Sequence, residues 1–153
     1  MKFNLDRFKS AQDNCFERVL AEMKNGKKES HWMWFVFPQI AGLGNSEVSK
    51  KYAIINLEEA EYYLMDELLS TRLIELTKIL AYKVEGKSAK EIFGFPDFLK
   101  FHSCMTLFHL VVSSKRKFQT NKDFLCFQDA IQKYFNGNLD TLTMNLLKEC
   151  LLD

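Results

Sequence analysis

Ser30-His31-Trp32-Met33-Trp34-Phe35-Val36-Phe37-Pro38-Gln39 is the stretch on which the reading of this chain turns. Six consecutive large apolar residues, Trp32 to Phe37, leave no solvent-facing side, so the element they form is expected to be buried all round. Periodicity does not choose between helix and strand. The aromatic content favours a strand, the helical character of the flanking sequence favours a helix, and Pro38 ends the element in either case. As plain core, the segment needs partners for two indole N–H groups and for the ring nitrogens of His31. As the wall of a pocket, it offers those groups to a ligand.

Immediately downstream lies Gln39-Ile40-Ala41-Gly42-Leu43-Gly44-Asn45-Ser46. Gly42 and Gly44 let backbone N–H groups approach a ligand, and Ser46 can cap the helix that follows. The start of that helix is the best anion-binding candidate in the chain. The Gly-x-Gly-x-Ser spacing is neither a Walker loop nor a dinucleotide fingerprint, and a plain glycine-containing connection is the simpler account.

Further out, the pattern is helical. The chain has 20 leucines against 13 isoleucines and valines together, a balance that suits helices because unbranched stems lose little rotamer freedom there. Leu5, Phe8, Cys15, Phe16, Val19, Leu20 and Met23 recur at three- and four-residue steps and predict one amphipathic helix stopped at Gly26. Asn56 opens a second helical region whose first turns carry Glu58, Glu59 and Glu61. Asp66 caps a third, with Leu69, Leu73, Leu76 and Leu80 as its stripe. Ser88-Ala89-Lys90-Glu91 is a capping-box pattern for a short helix ending at Gly94. Pro96 and Asp97 open a helix to about Val112, Asp97 accepting backbone N–H groups in its first turn. Its stripe is Phe101, Cys104, Met105, Leu107, Phe108 and Val112. A helix after Asn121 turns Phe124, Phe127, Ile131, Tyr134 and Phe135 inward. Asp140 caps a last helix holding Leu142, Leu146, Leu147 and Cys150. No repeat and no linker divides residues 1–153, so a single domain is expected.

Composition narrows the function classes. Hydrophobic residues make up 47% of 153, with six glycines and two prolines, which excludes a disordered or collagen-like chain. Twenty-one basic residues nearly cancel twenty acidic ones, so no global field steers the protein to nucleic acid or an anionic membrane. The longest uncharged stretch, Ser30 to Ser46, falls short of a membrane span. The Lys115-Arg116-Lys117 run reads as a solvated loop. The amino terminus carries no apolar run, and Cys15, Cys104, Cys126 and Cys150 contain no Cys-x-x-Cys pair. Reduced, core-packed thiols in the cytoplasm are the expectation. His102 and Cys104 point to different sides of one helix, and His102 and His109 stand two turns apart, too far to share a metal. No metal and no other cofactor is expected.

Ser30 to Gln39, with Gly42-Leu43-Gly44, Ser46 and Tyr52, resembles the signature of the Domain of Unknown Function 1810 family, a bacterial family. Glu91-Ile92-Phe93-Gly94-Phe95-Pro96-Asp97 and Leu99-Lys100-Phe101-His102-Ser103-Cys104-Met105-Thr106-Leu107-Phe108 match it too, so the similarity spans essentially the whole chain. The resemblance implies an all-α fold: a single compact multi-helix domain with a buried Trp-rich central helix. It carries no established activity. This chain departs from the pattern at Phe98, where members often have a second aspartate, so no second carboxylate is expected there.

The resemblance puts any site where the Trp-rich helix, the Gly42–Ser46 loop and the Asp97–Phe108 helix converge. The candidate binding residues are His31, Trp32, Trp34, Gln39, Gly42, Gly44, Ser46, Tyr52 and Ser103, with Asp97 and Lys100 as candidate catalytic groups. Indoles can stack on a base, loop amides and Lys100 can hold phosphate, and Asp97 can act as acid or base. Apolar neighbours would raise the Asp97 pKa, whereas a helix-cap position would lower it. Ser103, one turn from Lys100, either pairs with it or simply bonds the preceding turn. Two functions follow. One is a small-ligand protein taking a nucleotide or ADP-ribose type molecule, with hydrolysis of an N-glycosidic bond as its reaction. The other is a non-catalytic interaction module in which the Trp-rich element is pure core.

Overall fold

A computed structural model describes residues 2–152, with side chains described up to Glu149. Its helices are α1 (Asp6–Asp13), α2 (Phe16–Lys24), α3 (Met33–Val36), α4 (Glu47–Lys51), α5 (Leu57–Met65), α6 (Glu67–Lys78), α7 (Ala89–Phe93), α8 (Asp97–Ser114), α9 (Arg116–Gln119), α10 (Cys126–Phe135) and α11 (Thr141–Leu152). A π-helical turn, Ile79–Lys83, extends α6, and a 3-10 turn, Lys122–Leu125, leads into α10. The fold is all-α. The described residues contain no strand, only an isolated parallel bridge between Ile40 and Ile54. None of their helices is long and apolar enough to cross a membrane.

The axis of the molecule is α8, against which α5, α7, α9, α10 and α11 all pack. Phe101, Cys104, Met105, Leu107 and Phe108 on it are completely buried, as a helix with apolar residues around most of its circumference must be. The local stop and start signals act as predicted. Asn56 accepts from the Glu59 N–H, Asp66 from Leu69, and Ser88 and Glu91 form a reciprocal capping box. Asp140 Oδ2 accepts from the Thr143 N–H at 3.1 Å.

Three expectations change. The Trp-rich element is helical but only one turn long, and α8, not this element, is the central rod. Trp32, Met33, Val36 and Phe37 are buried while Trp34 and Phe35 stay partly exposed, because a four-residue turn lying on the flank of the bundle keeps one side to solvent. The single helix from Leu5 to Met23 is broken at Asn14 and Cys15. There the Asn14 side chain turns back to the Ser10 carbonyl and the Cys15 N–H bonds three residues back to Gln12, giving the backbone an alternative to the helical ladder. The Lys115-Arg116-Lys117 run is not a loop throughout, since α9 begins at Arg116. In the last helix Leu142 is 64% exposed, while Leu146 and Leu147 pack on the core. The side chain of Cys150 lies outside the described residues.

Candidate functional site

Two buried carboxylates fix the segments around the site: Glu22 the chain that carries the tryptophans, Glu59 the connection between α4 and α5. Glu22, on the inward face of α2, is 7% exposed. Its carboxylate accepts from the backbone N–H of Glu29 (2.7 Å) and of Ser30 (3.1 Å), from Ser30 Oγ (2.5 Å) and from Trp32 Nε1 (3.0 Å). Burial by itself would raise its pKa, but these donors outweigh it and hold the carboxyl at about 2. Glu59, fully buried at the start of α5, accepts a fork from Arg7 (2.9 and 3.3 Å) and the Ile55 N–H. Arg7 also donates to the carbonyls of Lys51 and Ala53, and so ties down the connection between α4 and α5.

With Trp32 anchored, the neighbouring side chains converge. The Lys28 N–H bonds to the Ile92 carbonyl at 2.7 Å, which brings its ammonium to 2.8 Å from Asp97 Oδ2, while Lys100 approaches Asp97 Oδ1 at 2.9 Å. The Lys28 side chain is only 7% exposed. Lys100 Nζ lies 4.2 Å from the Trp34 ring centroid and Lys28 Nζ 5.2 Å from that of Trp32, both within cation–π range. These groups, with exposed His31 and Ser46, border a recess of about 420 Å³. Asp97 makes no cap hydrogen bond to its own helix. It is clamped between two lysines instead. Burial pushes its pKa up, but the hydrogen bonds and charges of Lys28 and Lys100 prevail and leave it below the ordinary carboxylate value.

On the other side of Trp34 is a second cavity of about 220 Å³, bordered by Trp34, Gln39, Tyr52, Ser49, Lys50 and the chain from Ile40 to Gly44. Gly42 and Gly44 are explained by packing. Gly42 has φ +105°, and a Cβ there would meet Leu146 at 3.1 Å; a Cβ on Gly44 would sit 2.7 Å from Ser49 Cβ and 3.1 Å from the Trp34 ring. Gly44→Ala is therefore expected to lower stability by about 1–3 kcal/mol through overpacking, read as a shift of the urea midpoint. An unchanged midpoint would contradict this packing. Ser46 caps α4 by accepting from the Ser49 N–H, but that helix has five residues and begins with Glu47, whose charge opposes an anion at its start. Lys28 and Lys100 lie in the neighbouring recess, beside Asp97.

Ser103 stands apart from both cavities, its hydroxyl donating to the Leu99 carbonyl and facing Asp140 Oδ2, each at 3.1 Å. It supports the α8–α11 packing and makes no bond to Lys100. Burial pushes the Cys104 thiol far up and the Cys126 thiol to about 12, so both behave as core residues. His102 stacks on Phe135 at 3.8 Å and bonds the Asn138 carbonyl. Among the described residues no three His, Cys, Asp or Glu side chains group around a common point fit for a metal ion. Sequence reasoning missed Lys28, Glu22 and Glu59. Glu22 did leave a signal, a charge three residues after Val19 on the apolar face of α2. Lys28, inside a charged run, left none.

Among solved structures, the chain resembles a conserved hypothetical protein, Rv1873, from Mycobacterium tuberculosis. The two are 42% identical with a TM-score of 0.86, over 97% of this chain and 99% of that one. No curated protein matches the chain. Residues 2–147 match the family described as "Protein of unknown function (DUF1810)", and the chain belongs to that family.

Proposed function

We propose that the protein binds a small anionic molecule carrying a flat ring, of the nucleotide or ADP-ribose class, in the recess bordered by Lys28, His31, Trp34, Asp97 and Lys100. The observation that carries this reading is that one carboxylate, Asp97, is shared by two lysines, one of them 7% exposed. Two ammonium groups against one carboxylate leave one formal positive charge in excess inside a concave, partly desolvated place, where an anion gains more than it would at the open surface. Trp34, partly exposed and already stacked under Lys100, offers a face for a ring.

Asp97 is not suited to act as a general acid. A general acid must carry a proton at the working pH, and Asp97, held below the usual carboxylate range by its lysines, is ionised near neutrality. Its part is to position Lys28 and Lys100. The alternative reading, a non-catalytic interaction module, draws support from Phe95, which is 72% exposed at the corner between α7 and α8. The partial exposure of Trp34 counts against a purely structural role for the Trp-rich turn.

Isothermal titration with AMP, ADP-ribose and adenosine tests the proposal. AMP and ADP-ribose should bind at least tenfold more tightly than adenosine. Lys100→Ala should weaken AMP about tenfold, equivalent to about 1.4 kcal/mol. Asp97→Asn, which removes the competing charge, should preserve or strengthen AMP binding. Equal affinity for adenosine and AMP, or an unchanged Kd in Lys100→Ala, would overturn it.

A further inference from the structure

In the recess, Lys100 occupies the place that a stacking ring needs. Its ammonium stands 4.2 Å from the centre of the Trp34 ring, and a ring laid on that face would bring its own atoms to about 3.5–4 Å from the indole. Both cannot be there at once. The same ammonium is 2.9 Å from Asp97 Oδ1, while Lys28 holds Oδ2 at 2.8 Å. The two lysines differ in freedom. The side chain of Lys28 is 7% exposed and that of Lys100 20%, so Lys100 is the one that can swing on its flexible four-carbon stem. Its departure strands no charge, because Asp97 keeps Lys28 as a partner, whereas a half-buried carboxylate left alone would be costly. The ion pair that Lys100 gives up is an i, i+3 pair on α8, a weak kind of interaction.

We infer that Lys100 is the specificity-determining residue of the recess: it covers the Trp34 face in the empty protein and swings onto the ligand's anionic group, so that a ring stacks on Trp34 only when an anion is bound beside it. The inference rests on the reading of the recess as a site for an anionic ring compound, and it adds how the recess tells such a compound from a neutral one. A neutral ring has to drive a cation off an aromatic face that attracts it, and offers no counter-charge in return. An anion draws Lys100 away and opens the face in the same step. The favoured ligand carries ring and anion on one molecule, within reach of one lysine side chain, as a nucleoside monophosphate does. Because both events share Lys100, they are coupled even when ring and anion arrive as separate molecules. The coupling is reciprocal: phosphate tightens the binding of a nucleoside by the factor by which the nucleoside tightens phosphate.

Titration of the full chain with adenosine, followed by the indole N–H resonance of Trp34, reads this coupling in the wild type. Adenosine should bind about fivefold or more tightly in inorganic phosphate than in chloride of equal ionic strength. Lys100→Ala, which uncovers the ring, should bind adenosine in chloride about fivefold more tightly than the wild type does, with nothing further gained from phosphate, while its AMP affinity falls. Opposite changes for the two ligands do not arise from a damaged fold, which weakens both. Lys100→Met, which keeps a side chain of similar reach over the ring, should gain nothing for adenosine. Wild-type adenosine binding indifferent to phosphate, no gain in Lys100→Ala, or an equal gain in Lys100→Met would each overturn the inference, and the reading of the recess would stand as long as the wild type prefers AMP to adenosine. A wild type that binds AMP no better than adenosine would overturn both. The phosphate comparison is made on the wild type, so the outcome does not depend on whether a variant folds.

Discussion

Glu22→Ala is expected to unfold at a Tm roughly 6–12 °C below that of the wild type, the equivalent of about 3 kcal/mol for a domain of this length. The carboxylate collects four donors from a stretch that has no other regular structure. Removing it leaves the indole N–H of Trp32, a residue 2% exposed, with no partner and no water. The backbone donors of Glu29 and Ser30 are nearer the surface and can be hydrated, which keeps the loss nearer about 3 kcal/mol than a full sum of four bonds. Acid should reveal the same group. Its pKa is 4.5 in an ordinary carboxyl and about 2 here, so the folded state binds fewer protons than the unfolded chain between those values. The stabilisation is therefore complete above about pH 4.5 and disappears as the pH falls toward 2. Urea midpoints measured from pH 7 to pH 2 should show wild type and Glu22→Ala converging at the acid end. Curves that stay parallel down to pH 2 would show that Glu22 does not act through its ionised form.

Arg7→Ala should be as damaging, by about 3–5 kcal/mol, because it strands the carboxylate of Glu59 in the interior. The pair is separated by 52 residues, and Glu59 is completely buried, with the Ile55 N–H as its other partner. The same guanidinium holds the carbonyls of Lys51 and Ala53, so its loss also loosens the chain leading to Ile54, on which Gln39 and Ala41 are hung. Arg7→Lys should recover only part of the stability, since an ammonium lacks the planar fork that reaches two oxygens and two carbonyls together. Replacing both partners, Arg7→Met with Glu59→Leu, should restore most of it, as an apolar pair leaves no stranded charge. Denaturant unfolding with an unchanged m-value is the measurement. An Arg7→Ala stability within about 0.5 kcal/mol of wild type would mean that the buried carboxylate finds compensation elsewhere.

The lysine recess was half legible. Trp32, Trp34, His31, Ser46, Asp97 and Lys100 do border one recess, and Gln39, Gly42, Gly44 and Tyr52 border the cavity adjoining it through Trp34. Ser103 borders neither. Asp97 illustrates why roles were harder to read than membership. Its position after Pro96 suits a cap, yet its carboxylate is taken by Lys28, a residue far away in the chain, and an ion pair of that strength outcompetes a first-turn backbone N–H.

From its sequence alone the protein is all-helical, with caps at Asn56, Asp66, Ser88 and Asp140 and an apolar helix beginning near Asp97. Those features follow from interactions between residues a few positions apart, where spacing and side-chain type are enough. Tertiary structure decided which apolar segment became the axis, α8 rather than the tryptophan turn, and which charges went inside. Glu22, Glu59 and Lys28 are buried only because partners from distant parts of the chain meet them there, and a charge enters the interior on that condition alone.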